Sequence, residues 1–323
     1  MIPGVIAGAG HSGKGGESRI VVVGSYNLDT AIELDAFPVP GETMLALGTR
    51  RSHGGKGSNQ AVQATRCGGA VSLIASVGKD PAGDAALDFW RMEGVAASGP
   101  PASASLPTGS ATILVDRTGE NIVLVNPGAN HGLAVEDVVR LLEVPGAAPS
   151  ILVTQLEIPL DVVHAAFRWS REAHVTTVLN AAPLTAPLPA ALIGLTDILI
   201  VNEVEALALS GALAESDAMI ASRRLSSQVG LAVILTRGAQ GAALFRNGAD
   251  PVLVECRPID VRDTTGAGDA FIGAFVGHLA ASRDIEQAVA WGVAAGCFAC
   301  GGHGAVSSYG TRAEILARYG DLP

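Results

Sequence analysis

Residues 20–24 read Ile-Val-Val-Val-Gly and form the first stretch whose structure follows directly from its residues. Four consecutive β-branched side chains favour a strand over a helix, and the absence of polar alternation implies burial of both faces. A strand buried on both faces belongs in a parallel sheet covered by helices. Working outward, apolar runs recur at 71–75, 151–154, 176–179, 198–201 and 232–235. Segments of helical periodicity lie between them, among them 162–171, 203–209 and 219–228. This alternation predicts an α/β fold: a doubly wound, mostly parallel sheet with helices on both faces. Two stretches break the rhythm. Residues 28–51 and 109–125 read as strands joined by turns, the second as a β-hairpin, SATILVD–RTGE–NIVLV. Such a β-element is expected to form a small lid over the carboxyl edge of the sheet, where α/β proteins bind their ligands. Residues 1–18 are rich in Gly and Ser and are expected to be a flexible extension, leaving 19–323 as one domain. No internal repeat is evident.

The chain has 323 residues and a mass of 32.6 kDa, enough to bury one large core. Its formal net charge is −10 and it has no run of Lys or Arg, which excludes a nucleic-acid surface. Four cysteines, Cys67, Cys256, Cys297 and Cys300, are too few and too scattered for a disulfide framework. No apolar run is long enough for a membrane span, and the first residues lack the basic start and apolar core of a signal peptide. A reduced, cytoplasmic setting is expected.

The strongest chemical signal is Asp263-Thr264-Thr265-Gly266-Ala267-Gly268-Asp269, followed by the small-residue run AFIGAFVGHLAA. Gly266 and Gly268 permit a tight turn, and the helix that follows begins with free N–H groups and a positive dipole end. The N–H groups of Gly266, Ala267 and Gly268 can cradle the charge on a transferring phosphoryl group. Asp269, in the same turn, is placed to accept a proton from an attacking hydroxyl. A Gly-rich loop with Asp269 as an ordinary helix cap would explain GxGD alone. The flanking Asp263, the paired threonines and the position late in an α/β chain favour the phosphate reading. A second signal is Gly54-Gly55-Lys56-Gly57-Ser58-Asn59-Gln60, which opens a helix. With Asn27 and Asp29, two residues apart at the end of the first strand, it assembles the donors and acceptors that a polyhydroxylated ligand needs.

These residues resemble the ribokinase family of carbohydrate kinases, also called the phosphofructokinase B family. The resemblance runs from about residue 20 to about residue 308 and includes GSYNLD, PGET, HGGKGSNQA, PTGSA, GENIVLVNPGAN, QLEIP, VNEVEA, LTRGAQGA and DTTGAGDAF. It implies transfer of the γ-phosphoryl group of ATP to a sugar, with D-ribose phosphorylated at O5 and Asp269 as base. It also implies sugar contacts from Asn27, Asp29, Gly55, Lys56, Gly57, Asn59, Glu157 and Asp269. Nucleotide contacts would come from Asn202, Thr236, Gly238, Gly241, Gly268 and Val293. Asn202 and Glu205 would support Mg²⁺ and phosphate geometry, with Glu205 acting through water. A K⁺ ion would be held by Asp263, Thr265 and Ser308 with backbone oxygens of Ala299, Gly302 and Gly304. Pairing of two lids into a homodimer is the remaining implication. Two positions depart from the pattern: Gly302 replaces a frequent basic residue, and Val293 replaces a frequent polar residue at the adenine edge.

Other features carry less. Residues 8–15, GAGHSGKG, imitate a P-loop, but Gly15 stands in place of the metal-binding hydroxyl and no strand precedes it. Cys297-x-x-Cys300 near His303 lacks a second ligand pair and reads better as two core cysteines than as a zinc half-site. His53 borders the sugar loop as either a pocket residue or a solvated one. Alternative activities are a kinase for deoxyribose, fructose or a nucleoside, and a catalytically silent sugar-binding regulator. A Rossmann dehydrogenase is disfavoured, because no GxGxxG follows the first strand.

Overall fold

In the computed structural model, which describes residues 19–99, 103, 105–144, 149–210, 217–320 and 322, strands and helices alternate along most of the chain. The proposed extension and the P-loop imitation lie outside the described residues. The first elements are β1 (Arg19–Val23), β2 (Asn27–Glu33), β3 (Gly48–Gly54), α1 (Lys56–Arg66), β4 (Ala70–Ile74), α2 (Pro81–Met92) and β5 (Ala96–Ser98). Then come β6 (Ser110–Val115), β7 (Asn121–Asn126), α3 (Val135–Leu142), β8 (Pro149–Thr154), α4 (Leu160–Glu172), β9 (Thr176–Asn180) and α5 (Ala190–Leu195). The remainder comprises β10 (Ile198–Asn202), α6 (Glu203–Leu209), α7 (Ala218–Leu225), β11 (Ala232–Thr236), β12 (Ala242–Phe245) and β13 (Val252–Val254). The last helices are α8 (Ala267–Ser282), α9 (Ile285–Ala299) and α10 (Arg312–Tyr319).

The large sheet has the order β13-β12-β11-β10-β9-β8-β1-β4-β5. It is parallel from β5 to β11, and β12 and β13 are antiparallel additions at one edge. The period-2 geometry of a strand divides β1 between two cores. Ile20 and Val22 join the core that includes Ala61, Phe271 and Trp291, while Val21 and Val23 join the one with Val162, Phe167 and Leu192. That division explains the unbroken apolar run: no face of β1 meets water.

On one face α1 and α8 approach unusually closely. A Cβ placed on Gly273 would lie 2.6 Å from the Gln60 carbonyl oxygen, so only glycine admits α1 at this distance. This contact brings residues near 60 within reach of residues near 269. The chain leaves β1 for β4 on one side, whereas β8 lies on the other. The carboxyl ends of β1 and β8 therefore flank a topological switch point, where doubly wound sheets open a crevice.

The second sheet has the order β3-β2-β6-β7. Its two sequence stretches join through parallel pairing of β2 with β6, a long-range contact that the hairpin reading alone does not contain. Every residue of β7 is exposed, including Ile122, Val123, Leu124 and Val125. The helix expected at 219–228 ends earlier, at Leu225, where the chain turns into β11.

Candidate active site

The crevice is built first by the roots of the lid. β2 and β3 pair Asn27 with Gly54 and Asp29 with Ser52, placing both polar residues beside the start of α1. Asn27 is buried, and its side-chain oxygen accepts from Asn130 Nδ2 at 2.9 Å. Asn130 also accepts the Tyr26 N–H at 3.0 Å and donates to the Tyr26 carbonyl at 2.9 Å. Asn130 thus orients Asn27; it stands in the GENIVLVNPGAN stretch, but nothing local distinguishes it as a partner for a residue about a hundred positions away.

Gly55, the N-cap of α1, has φ of 86°, and a Cβ there would lie 2.5 Å from Tyr26 Cα. Both conditions disfavour other residues and seat the helix start against the backbone at the entry to β2. Glu157, after β8, accepts from the Ser25 hydroxyl and from the Lys56 N–H at 3.0 Å. Burial raises the Asp29 carboxyl to about 7, assisted by the negative charges of Glu157 and Asp269. The Lys56 ammonium is held above its usual range chiefly by Asp269, against burial, with Glu157 and Glu205 adding to the effect. Lys56, Glu205 and Asp269 line one small cavity, a neighbourhood that the sugar-contact expectation alone does not capture.

His53 is half-buried, stacked on Phe89 with centroids 4.0 Å apart and 2.7 Å from the Tyr26 hydroxyl through Nδ1. Burial pushes it below the usual imidazole range. It is a packed residue at the lid root and not a solvated loop histidine.

Asp269 is 7% exposed in the first turn of α8. Asn59 Nδ2 donates to its Oδ2 at 3.0 Å, and Gln60 Nε2 donates to its Oδ1 at 2.9 Å. Asn59 therefore contacts the proposed base directly. Gln60, next along in the same sequence stretch, was absent from the expected site. Its helical spacing of four from Lys56 is the only local hint of a shared face.

The N-cap of α8 is Gly266, in the left-handed region at φ 74° and without a side-chain cap. The Ala267 N–H is directed to the Thr264 carbonyl at 3.2 Å, whereas the Gly268 N–H has no partner among the described residues. A Cβ on Gly268 would meet nothing within 4 Å, so this side of the turn is open. The Tyr309 hydroxyl donates to the Gly266 carbonyl at 2.9 Å and ties the turn to the segment before α10.

Two cavities meet at this turn. The smaller, of about 170 Å³, is lined by Lys56, Asn180, Asn202, Glu205, Gly268 and Asp269 among others. The larger, of about 500 Å³, is lined by Thr236, Gly238, Gly241, Gly268, Phe271 and Val293 among others. Thr236 and Gly268 border both. Asn202 and Glu205 form a reciprocal capping box on α6, at 2.8 and 2.9 Å. This accounts structurally for their spacing of three. Burial raises the Glu205 carboxyl, opposed by its bond to the Asn202 N–H and by Lys56.

Several residues expected at a cation site are joined by hydrogen bonds. Asp263 accepts from the Thr265 and Gly304 N–H groups, each at 2.8 Å, and these bonds hold its carboxyl below its usual range despite burial. A Cβ on Gly302 would lie 2.7 Å from Ser308 Cβ, and the Gly302 N–H donates to the Ala299 carbonyl at 3.0 Å. Oxygen donors with one carboxylate suit a hard monovalent cation.

The cysteines require a correction. Cys297 is bonded to Cys256, with Cα atoms 6.5 Å apart, so it is neither a free core cysteine nor part of a zinc half-site. Cys256 follows β13, which packs beside α9, and this tertiary contact joins two residues separated by 41 positions. Cys67 and Cys300 are free. The bridge borders the larger cavity, which both of its residues line.

The pfkB family carbohydrate kinase model matches residues 17–312. A ribokinase of Haemophilus influenzae is 34% identical over 299 residues, covering 92% of this chain and 97% of that protein. Among solved structures, a ribokinase from Thermotoga maritima aligns with a TM-score of 0.83 at 31% identity, covering 93% of this chain and 98% of that one. An Arabidopsis thaliana ribokinase complexed with ribose and ATP aligns with a TM-score of 0.82 at 26% identity, covering 93% and 98%. No helix among the described residues is long and apolar enough to cross a membrane. With the glycine turn, the lid and the crevice common to one fold, the chain belongs to the pfkB family of carbohydrate kinases.

Proposed function

We propose that the chain transfers the γ-phosphoryl group of ATP to O5 of D-ribose, with Asp269 as general base. The observation that carries this reading is the location of Asp269. Its carboxylate lies in the first turn of α8, whose N-cap has no side-chain cap, and lines a small cavity with Lys56, Asn202, Glu205 and Gly268. The similarity to ribokinases, one of them solved with ribose and ATP, supports the choice of substrates.

Asn27, Asp29, Asn59 and Glu157 hold the sugar hydroxyls, with Gly55 and Gly57 allowing close backbone approach. Asp269 takes the proton from the attacking hydroxyl, a contribution worth roughly 10² to 10⁴-fold in rate. The Gly268 N–H, unpartnered among the described residues, together with Lys56 stabilises charge on the transferring group, whereas the expected Ala267 donor is taken by the Thr264 carbonyl. The nucleotide occupies the larger cavity against Thr236, Gly238, Gly241 and Val293. Glu205 with Asn202 would hold Mg²⁺, which when bound would supply charge neutralisation at the phosphates. The oxygen-rich cluster around Asp263, Thr265, Ala299, Gly302, Gly304 and Ser308 would hold K⁺.

Residues 19–323 act in this reading as one catalytic unit whose lid strands exclude water. The exposed apolar strand β7 supports a homodimer formed through the lid. We assign a cytoplasmic setting, in which Cys256 and Cys297 would be kept as thiols and the bridge would form only on oxidation.

The test is ADP release with Mg-ATP across ribose, 2-deoxyribose, fructose and nucleosides, in K⁺ and again in Na⁺ alone. Ribose-dependent turnover stimulated by K⁺ is expected. Turnover with another acceptor only would move the substrate, and sugar binding without turnover would favour a silent regulator.

A further inference from the structure

We propose that Gln60 positions the Asp269 carboxylate, with Gln155 supporting Gln60 by donating to its side-chain oxygen; the inference rests on Asp269 acting as the base. Gln60 and Gln155 are both fully buried. A buried amide must satisfy its two N–H donors and its oxygen within the protein. Gln60 does so with three different partners. Its Nε2 donates to Asp269 Oδ1 at 2.9 Å and to Asn180 Oδ1 at 3.2 Å, while its Oε1 accepts from Gln155 Nε2 at 2.6 Å.

This arrangement has a direction. If the Gln60 amide were reversed, its oxygen would face the Asp269 carboxylate and its NH₂ would face the Gln155 NH₂. The Asp269 carboxylate, which can only accept, therefore selects the orientation that presents a donor to it, and Gln155 Nε2 caps the Gln60 oxygen left on the far side. Asn59 donates to the other carboxylate oxygen at 3.0 Å, and the two amides together fix the plane of the group. The supports come from separate parts of the fold: Gln60 from α1, Gln155 from the end of β8, and Asn180 from the end of β9. Their convergence depends on the close approach of α1 to α8 at Gly273.

The proposed role is positioning through Asp269, without contact between Gln60 and the sugar. Replacing a donor to a buried carboxylate removes a charge-assisted hydrogen bond and frees the carboxylate to rotate. Gln60→Leu should therefore lower kcat by about 10- to 100-fold. Sugar affinity should remain within about twofold of wild type, since the sugar-holding groups are retained.

Gln60→Glu supplies a signature that a merely structural residue would not. A carboxylate placed against Asp269 repels it, whereas its protonated form can again donate a hydrogen bond. At saturating sugar and ATP, the ratio of wild-type to variant kcat should rise as the pH is raised from about 6 to about 8. The ionisable groups that interact with Asp269 are Lys56 on α1, Asp29 on β2 and Tyr309 before α10, while Glu157 after β8 acts on both Lys56 and Asp29. Lys56 and Tyr309 are held above this interval and only Asp29, at about 7, falls within it, so the same ratio taken in an Asp29→Asn background isolates the substituted position.

The measurements are kcat, sugar KM and calorimetric sugar affinity for wild type, Gln60→Leu and Gln60→Glu. A loss confined to kcat, with the rising ratio for Gln60→Glu, supports the role. A Gln60→Leu kcat within twofold of wild type, a loss confined to KM, or a flat pH ratio overturns it. Should Gln60→Leu not fold, Gln155→Leu provides the same kcat and affinity comparison, because it removes the donor to the Gln60 oxygen. A wild-type protein without sugar-dependent turnover would overturn the kinase reading and this inference together. An active wild type with unaffected Gln60 variants would overturn only the positioning role.

Discussion

Raising the pH from about 6 to about 8 should ionise Asp29 and strengthen its hold on a sugar hydroxyl. In the free protein this carboxyl lies at about 7, because burial and the carboxylates of Glu157 and Asp269 disfavour its charged form. A group at that value is about one-tenth ionised at pH 6 and about nine-tenths ionised at pH 8, by simple titration. If the sugar requires the carboxylate as acceptor, its affinity should rise roughly tenfold over this interval, or about 1.4 kcal/mol. Binding near pH 7 should also release about half a proton, as the hydroxyl donor draws Asp29 into its ionised form.

Calorimetry in two buffers of different ionisation enthalpy, without nucleotide, measures both quantities. Asp29→Asn should bind more weakly and lose the pH dependence, which separates Asp29 from the nearby His53. Affinity constant within twofold across the interval, with no proton release, would refute the reasoning. Stability without sugar should move in the opposite direction. The native state binds a proton more tightly than the unfolded chain, so the contribution is present below about 4 and lost as pH rises through about 7. Its ceiling is about 4 kcal/mol for a carboxyl raised to this extent.

Asp269→Asn should retain sugar binding while reducing kcat by roughly 10² to 10⁴-fold, checked by steady-state ADP release; wild-type turnover in this variant would remove Asp269 from the mechanism. Gly55→Ala should destabilise the protein by more than about 1 kcal/mol, since it combines a positive φ with a Cβ clash against the Tyr26 backbone. A denaturant melt with an unchanged midpoint would contradict that. Cys256→Ser, which opens a bridge spanning 41 residues, should cost about 2–4 kcal/mol in an oxidised preparation. Thermal melts with and without reductant should show the same loss for wild type on reduction and none for the variant.

The sheet was legible at β1 because a run of β-branched residues needs no distant partner to declare burial on both faces. The turn before α8 was legible for a similar reason: its glycines, its Thr pair and Asp269 are neighbours in the chain. A resemblance across most of the sequence added expected roles for residues whose contacts no local pattern reveals. The disulfide illustrates the limit. Cys256 and Cys297 look isolated until β13 packs beside α9, and the CxxC spacing directs attention to the wrong pair.

By itself, the sequence determined the alternation of strands and helices, the open start of α8 and the residue types available to a phosphate and a sugar. These follow from short-range sterics, periodicity and hydrogen-bonding capacity. Only the tertiary structure decided that Gln155, Gln60 and Asp269 form one chain of contacts, that Asn130 orients Asn27, and that three carboxylates share the field around Asp29. Those properties depend on distances between elements far apart in the chain, and close packing of α1 on α8 sets those distances.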